Sequence, residues 1–319
     1  MHFMEIYPFI SFIIPTYNCE SILDRCLESI IKQKYPKDRM EILIIDGGSL
    51  DNTVAIAQKY TQKILKNHRK IAEFGKSIGI QNAKGEIIIL LDSDNEIVQD
   101  DWLKRMLQPL QDNQEIFGVE SFYLQPKKDF FINRYFTAIG LTDPLALALA
   151  TKPKILSKKK YLIYDLPPNA CAPIGANGFL WRKSIIEQIG GYIPVFEEAN
   201  FTAKVIRNGY NKYAKVPGYG VYHYYIKNWR EFYAKKIKIA SKFLKRKQEK
   251  KATWLDNISK KRFLIKVLYC CTFIGPILES IFNYIHTKQS AWFLHPIMCF
   301  FTVFIYSIIF LKNALHYKS

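Results

Sequence analysis

Residues 75–95 read GKSIGIQNAKGEIIILLDSDN. A helical pattern from Lys76 to Ala83 passes through Lys84-Gly85 into the apolar run Glu86 to Leu91, which ends on Asp92-Ser93-Asp94-Asn95. A short run of branched apolar residues with no polar alternation is the mark of a strand covered on both faces, as in parallel sheets. The preceding chain repeats the pattern. Phe9 to Ile14 reads as a buried strand, Glu20 to Lys32 as a helix, and Glu41 to Ile45 as the next strand. Asp51 to Lys59 is a second helix and Ile64 to Leu65 a short strand. Alternating strand and helix predict a parallel sheet wound with helices. Ligands in such sheets bind beyond the carboxyl ends of the strands, so chemistry is expected in the residues that follow each strand.

Three strand ends carry unusual residues: Pro15-Thr16-Tyr17-Asn18, then Asp46-Gly47-Gly48-Ser49, then Asp92-Ser93-Asp94-Asn95. Asp92 and Asp94, two apart around a small residue, offer oxygens to a hard divalent cation that bridges diphosphate. Taken alone, the pair reads equally as turn or cap aspartates before a helix from Ile97 to Met106. Asp46 followed by two glycines serves a close-approaching ligand or a plain strand-to-helix turn, and Asp51 suits a helix N-cap.

In sequence, FIIPTYN, ILIIDGGSLDNT and GKSIGIQNAKGEIIILLDSDN together resemble the family 2 glycosyltransferases, inverting enzymes of GT-A fold that use nucleotide-diphosphate sugars. The resemblance runs from about Ile10 to Tyr224. It implies an α/β, doubly wound, mixed and mostly parallel sheet. It also implies a nucleotide-sugar site made by Pro15, Thr16, Tyr17, Asp46, Lys76, Asp92 and Ser93, and a metal, Mn²⁺ or Mg²⁺, on Asp94, Asp92 and His223. Many relatives have two acidic residues where this chain has Asp46-Gly47, so any acidic contact to the base falls to Asp46. Downstream, GANGFLWRKSIIEQIGGY (Gly175 to Tyr192) resembles the family's acceptor-side segment, and FEEANFTAKVIRNGY (Phe196 to Tyr210) its Glu-Asp pattern. By that position Glu198 is the base that takes the acceptor proton, with Glu197 beside it. Relatives most often have Asp there. The same two residues also fit an exposed acidic first turn of a helix. His223, among Tyr222, Tyr224 and Tyr225, reads as a metal contact or as a packing histidine.

The charge lies elsewhere. The chain has 319 residues and a formal net charge of +18. Between Lys227 and Arg262 fourteen cations face three anions, so eleven of the eighteen charges sit in 36 residues just before the two most apolar stretches. Trp229, Phe232, Tyr233, Ile237, Ala240, Phe243 and Leu244 recur there at helical spacing with basic residues opposite. This pattern suits an interfacial helix on anionic headgroups, or a solvated helix packed on the domain. Phe263 to Ile285 contains Lys266, Gly275-Pro276 and Glu279. Ala291 to Leu311 carries no Asp, Glu, Lys or Arg and is long enough to cross about 30 Å of hydrocarbon. Read as a transmembrane hairpin with basic outer flanks (the 227–262 run, then Lys312 and Lys318), the tail makes a multi-pass cell-membrane protein with its catalytic part in the cytoplasm. A helix buried in a soluble core is the other reading of the first stretch. Residues 129–160 between the two halves read as a flap over the acceptor or as a lysine-edged insertion.

Six cysteines show no Cys-x-x-Cys pair, so neither a zinc site nor a disulfide framework is expected, and Met1 to Tyr7 lacks the basic start of a signal peptide. The expected organisation is a catalytic domain over 1–226, a basic amphipathic segment over 227–262, and a transmembrane hairpin with a short tail over 263–319. The expected function is metal-dependent inverting transfer from a nucleotide-diphosphate sugar to a lipid-linked or glycan acceptor at an anionic membrane surface. A non-catalytic, membrane-anchored nucleotide-sugar binder is the alternative. A sugar nucleotidyltransferase is disfavoured because Ile10 to Asn18 has no glycine for a phosphate loop. Nucleic-acid binding accounts for the charge but not for three carboxylate-bearing strand ends.

Overall fold

The computed structural model describes residues 7–126, 128–140, 143–190, 195–249 and 253–316. Outside these lie the start of the chain, Gly191 and Tyr192 of the acceptor-side motif, Lys250 and Lys251 of the basic run, and Lys318 of the tail. In chain order the elements begin β1 (Ile10–Thr16), α1 (Glu20–Ile31), β2 (Met40–Asp46), α2 (Thr53–Gln58), β3 (Ile64–Lys66), α3 (Ala72–Asn82), β4 (Ile87–Leu90) and β5 (Asn95–Ile97). They continue through α4 (Trp102–Asp112), β6 (Ile116–Leu124), α5 (Phe131–Ala138), α6 (Pro144–Leu149), β7 (Lys154–Lys158), β8 (Leu162–Asp165), β9 (Phe179–Arg182) and α7 (Lys183–Gln188). The last are α8 (Glu198–Arg207), β10 (Lys212–His223), α9 (Trp229–Gln248), α10 (Lys260–Cys271), α11 (Ile274–Thr287) and α12 (His295–His316).

The chain divides into two compact units, one of 1–124, 152–169 and 174–223, the other of 125–151, 170–173 and 224–319. The first is built on one mixed sheet in the order β3-β2-β1-β4-β9-β6-β10-β8-β7, with β5 paired to β10. Strands β3, β2, β1, β4, β6, β10 and β7 run one way and β9, β8 and β5 the other. The expected parallel core is therefore present, and every residue of β1 is buried, which is why its sequence shows no alternation. β1 lies between β2 and β4, so the crossovers leave it in opposite directions and its carboxyl end opens at the switch point of the sheet. Ile97 closes as an edge strand on Val221, and the helix expected over 97–106 starts instead at Trp102.

Helix and sheet meet closely where α3 crosses β1. A Cβ at Gly79 would stand 2.3 Å from the Ile13 Cγ2 methyl and 3.0 Å from Ile45 Cδ1. Glu41 is buried at the other end of β2 and ties neighbouring elements: it accepts from Ser11 Oγ at 2.5 Å, from the Lys84 amide at 2.6 Å and from Lys63 Nζ at 2.6 Å. Burial pushes its carboxyl up, but these donors overbalance it and hold it below the ordinary glutamate value.

The second unit is helical. α9 occupies the stretch expected to be amphipathic, with Phe232 and Ala240 buried and Trp229 and Tyr233 exposed. One basic residue departs from the expected polar face. Lys236 is buried and ion-paired with Asp143, which also accepts from Tyr306 at 2.7 Å. The stretch Phe263 to Ile285, expected as the first limb of a hairpin, is broken into α10 and α11 with a bend of 75°. Phe273 takes φ 60° at the break, just before Gly275-Pro276, where the proline ring is accommodated in the first turn of a new helix. Among the described residues one helical stretch, Ser290–Asn313, is by itself long and apolar enough to span a bilayer. The multi-pass expectation therefore reduces to one continuous candidate span beside a bent pair.

Replacing Gly79 with valine is expected to lower the melting temperature of the protein, by overpacking worth about 1–3 kcal/mol. Gly140→Ala, at a position with no heavy atom within 4 Å of an added Cβ, is the control for backbone strain alone at φ +73°.

Candidate active site

At the carboxyl end of β1 and β2, Thr16 Oγ1 donates to Asp46 Oδ1 at 3.0 Å. The other Asp46 oxygen accepts from the amides of Gly48 (2.8 Å) and Ser49 (2.9 Å), and Ser49 Oγ donates to Oδ1 at 2.6 Å. The Asp46 carboxylate thus shapes the glycine turn. Gly48 at φ +80° gives that turn its left-handed step. Tyr17 projects into solvent, with Lys70 Nζ 5.4 Å from its ring centroid, and Pro15 is buried behind it.

The third strand end meets α3 and α8. Lys76, from the buried face of α3, places its ammonium 2.9 Å from Asp92 Oδ1 and in an ion pair with Glu198, the first residue of α8. The side chains are 6%, 33% and 14% exposed in that order, so the ammonium has lost its water and is held by two carboxylates. Burial alone would lower the lysine pKa; Asp92 and Glu198 overturn that and raise it well above the ordinary value. Burial pushes the Glu198 carboxyl up, Lys76 draws it down, and Asp92 pushes it up again, leaving it above the usual carboxylate range.

Glu198 reaches this position because the GANG segment makes room. Gly175 sits at φ +114°, and a Cβ there would strike the Trp181 ring at 2.7 Å and Thr202 Oγ1 at 2.9 Å and touch Glu198 Cβ at 3.4 Å. Trp181 Nε1 donates to the Gly175 carbonyl at 3.0 Å, and Thr202 Oγ1 to that of Ile174 at 2.8 Å, fixing the loop against α8. Glu197 is buried at the N-cap position of α8 and accepts from Asn200 Nδ2 at 2.5 Å.

Asp94 belongs to a separate pair. Its Oδ1 lies 3.1 Å from Nε2 of the buried His223, the last residue of β10, and also accepts from Asn95 Nδ2 at 3.0 Å. Pairing of His223 with Asn95 between β10 and β5 sets this geometry. Ser93 stands between the two aspartates and interacts with the Cys19 thiol, whose pKa burial raises. Asp92, Asp94 and His223 were expected to share a metal. Among the described residues no group of three or more His, Cys, Asp or Glu side chains is placed to hold one, and Asp92 lies against Lys76 instead. The Asp94 carboxylate and the His223 imidazole lie together there, an oxygen and a nitrogen donor that suit a divalent ion whose other positions substrate phosphate and water would fill.

Sequence reading assigned Lys76 to the nucleotide without anticipating that it joins Asp92 to Glu198, 122 residues away. Neither Asn95, buried and paired with His223, nor the half-buried Tyr123 beside the His223 ring was given a role. A lysine in the middle of an otherwise small and apolar helix face was the available signal for the first.

Residues 11–187 match the family model described as Glycosyl transferase family 2. The chain belongs to that family. Among its relatives, "Glycosyltransferase AglE" of Haloferax volcanii is 25% identical over 198 residues, covering 59% of this chain and 64% of that protein. A Methanococcus voltae enzyme is 34% identical over 110 residues, 32% of this chain and 34% of its own length. Its name is dolichyl N-acetyl-alpha-D-glucosaminyl phosphate 3-beta-D-2,3-diacetamido-2,3-dideoxy-beta-D-glucuronosyltransferase. The chain thus spans less than two thirds of either relative. The solved mannosyltransferase PcManGT of Pyrobaculum calidifontis, in complex with GDP-Man and Mn²⁺, superposes with a TM-score of 0.58 over 97% of this chain and 88% of its own, at 14% identity. The fold of this family 2 member is GT-A.

Lys76→Met leaves Asp92 and Glu198 facing each other without a counter-ion and is expected to cost about 3 kcal/mol, the low end for a broken buried pair because Asp92 is partly hydrated. Without Lys76 to draw it down, the Glu198 carboxyl is pushed further up, which adds stability at low pH that is lost as pH rises through the raised value. Thermal melts should accordingly show the loss relative to wild type to be smaller at pH 5 than at pH 8.

Proposed function

We propose that this protein is an inverting glycosyltransferase that moves a sugar from a nucleotide diphosphate to a lipid-linked acceptor, with Glu198 as the base. The observation that carries the reading is the buried Lys76 bridge, which seats Glu198 against the Asp-x-Asp strand end although the two are far apart in sequence. A carboxylate with a raised pKa, held in one orientation by a lysine that also holds Asp92, suits removal of a hydroxyl proton.

In the transfer, the Glu198 carboxylate takes the acceptor O–H proton as that oxygen bonds to the anomeric carbon. The carbon–oxygen bond to the nucleotide diphosphate breaks from the opposite face, and the electron pair leaves with the phosphate, so the configuration inverts. Thr16, Tyr17 and the Asp46 turn line the nucleoside end at the switch point, with the Tyr17 ring available for stacking. Lys76 supplies positive charge where the diphosphate would lie. Asp94 and His223 would hold Mn²⁺ or Mg²⁺, which when bound neutralises charge on the departing diphosphate. The GDP-Man and Mn²⁺ of the structural neighbour support the donor class and the metal, and the dolichyl-phosphate-linked substrate in the name of the Methanococcus relative supports a lipid-linked acceptor.

The basic 227–262 segment and the apolar stretch Ser290–Asn313 fit a protein seated on the cytoplasmic leaflet, with that stretch inserted and the bent α10–α11 pair partly immersed.

Glu198→Gln is expected to bind a nucleotide-diphosphate sugar as wild type does while losing about 10²–10⁴-fold in turnover, and Asp94→Ala to abolish the response of donor binding to Mn²⁺. Calorimetric titration of donor with and without metal, beside a transfer assay, checks both. Full activity in Glu198→Gln would remove the assigned base.

A further inference from the structure

We propose that the helical unit carries a binding groove for the hydrocarbon chain of a polyprenyl phosphate. The inference rests on the lipid-linked acceptor reading above and names where that lipid is held. A cavity of about 820 Å³, within the range of ligand sites, is walled by α9, α10, α12 and the turn before α10. Its lining is branched and aromatic: Leu145, Phe243, Phe263, Val267, Val303 and Phe310 stand around it. Tyr306 adds its ring, its hydroxyl being bonded to Asp143 at 2.7 Å, so it presents carbon to the groove. At the base, Leu149, Cys270 and Cys299 close the packing.

α10 and α12 pack antiparallel, since Phe263 and Val267 early in α10 share the groove with Ser307 and Phe310 late in α12 while Cys270 interacts with Cys299. The groove therefore runs along the candidate membrane span, with Lys260 in its lining at one end and Lys261 next to it, both exposed. One apolar slot with cations at its mouth complements an amphiphile that has an anionic head and one long branched chain. A diacyl phospholipid brings two chains to a single slot. The Asp256 carboxylate, which would oppose an anionic head, is turned to its own loop, accepting from Thr253 N at 2.8 Å and Thr253 Oγ1 at 2.7 Å.

The test uses the full chain in phosphatidylcholine nanodiscs and a polyprenyl phosphate bearing a terminal diazirine. Photolabelling is expected on the 263–267 and 303–310 peptides, displaced by unlabelled polyprenyl phosphate and not by excess phosphatidylglycerol. Ser307→Trp, which fills the groove, should reduce labelling about tenfold or more, equivalent to 1.4 kcal/mol, with binding of nucleotide-diphosphate sugar unchanged. If that variant does not fold, Val267→Phe is measured instead. Labelling elsewhere, equal displacement by phosphatidylglycerol, or a filled groove that labels like wild type overturns the assignment. A wild-type protein labelled in the groove that binds no nucleotide-diphosphate sugar keeps the groove and removes the transferase reading.

Discussion

The buried ammonium of Lys76 is the constraint on which the site depends. Two carboxylates converging on a partly dry strand end repel each other and would protonate or swing apart; a lysine between them makes the convergence tolerable. Its position is set from both sides. α3 is pressed onto β1 and β2 by Gly79, and the GANG loop turns sharply at Gly175 to admit the start of α8. Any movement of α3 that relaxed this packing would separate Asp92 from Glu198, so the fold of the sheet and the charge arrangement of the site are one problem.

Much of this was legible in sequence because parallel strands announce themselves. The unbroken apolar runs of β1, β2 and β4 have no exposed face and therefore no alternation, and each ends on the polar residues that the fold then places together. Glu198 and Asp92 were both singled out from their motifs. The link between them was not, since nothing local in FGKSIG says which carboxylates a lysine will meet. β5, β7 and β8 escaped for a related reason: β5 is three residues long, and the last two strands at that end of the sheet are exposed in β7 and half-buried in β8, so neither burial nor periodicity marks them. The tail illustrates the opposite error. Phe263 to Ile285 has the composition of a span, but the helix breaks at Phe273, just before Gly275-Pro276, and the two pieces meet at a bend. There Glu279 accepts from Tyr269 and faces His295 Nε2 at 3.5 Å.

Charge divides the molecule by task. The carboxylates around Lys76 and His223 belong to the sheet unit, whereas the excess of lysine and arginine collects in α9 and the turn after it, within the helical unit. Lys236 is the exception that shows the rule. Drawn into the interior, it is neutralised by Asp143 and capped by the rings of Phe136 and Phe232, with centroids 5.0 and 5.7 Å from its ammonium.

The helical unit is not a simple appendage to the end of the chain. α5 and α6 enter it from the middle of the sequence, and Ile132, Tyr135 and Phe136 of α5 share one apolar cluster with Phe232, Trp292, Met298 and Ile305. During synthesis α5 leaves the ribosome long before α12 exists, so for that interval its apolar face has no native cover. Folding of this protein is thereby tied to delivery of its last helices, and a ribosome that stops after β10 releases a chain with an adhesive surface in its middle.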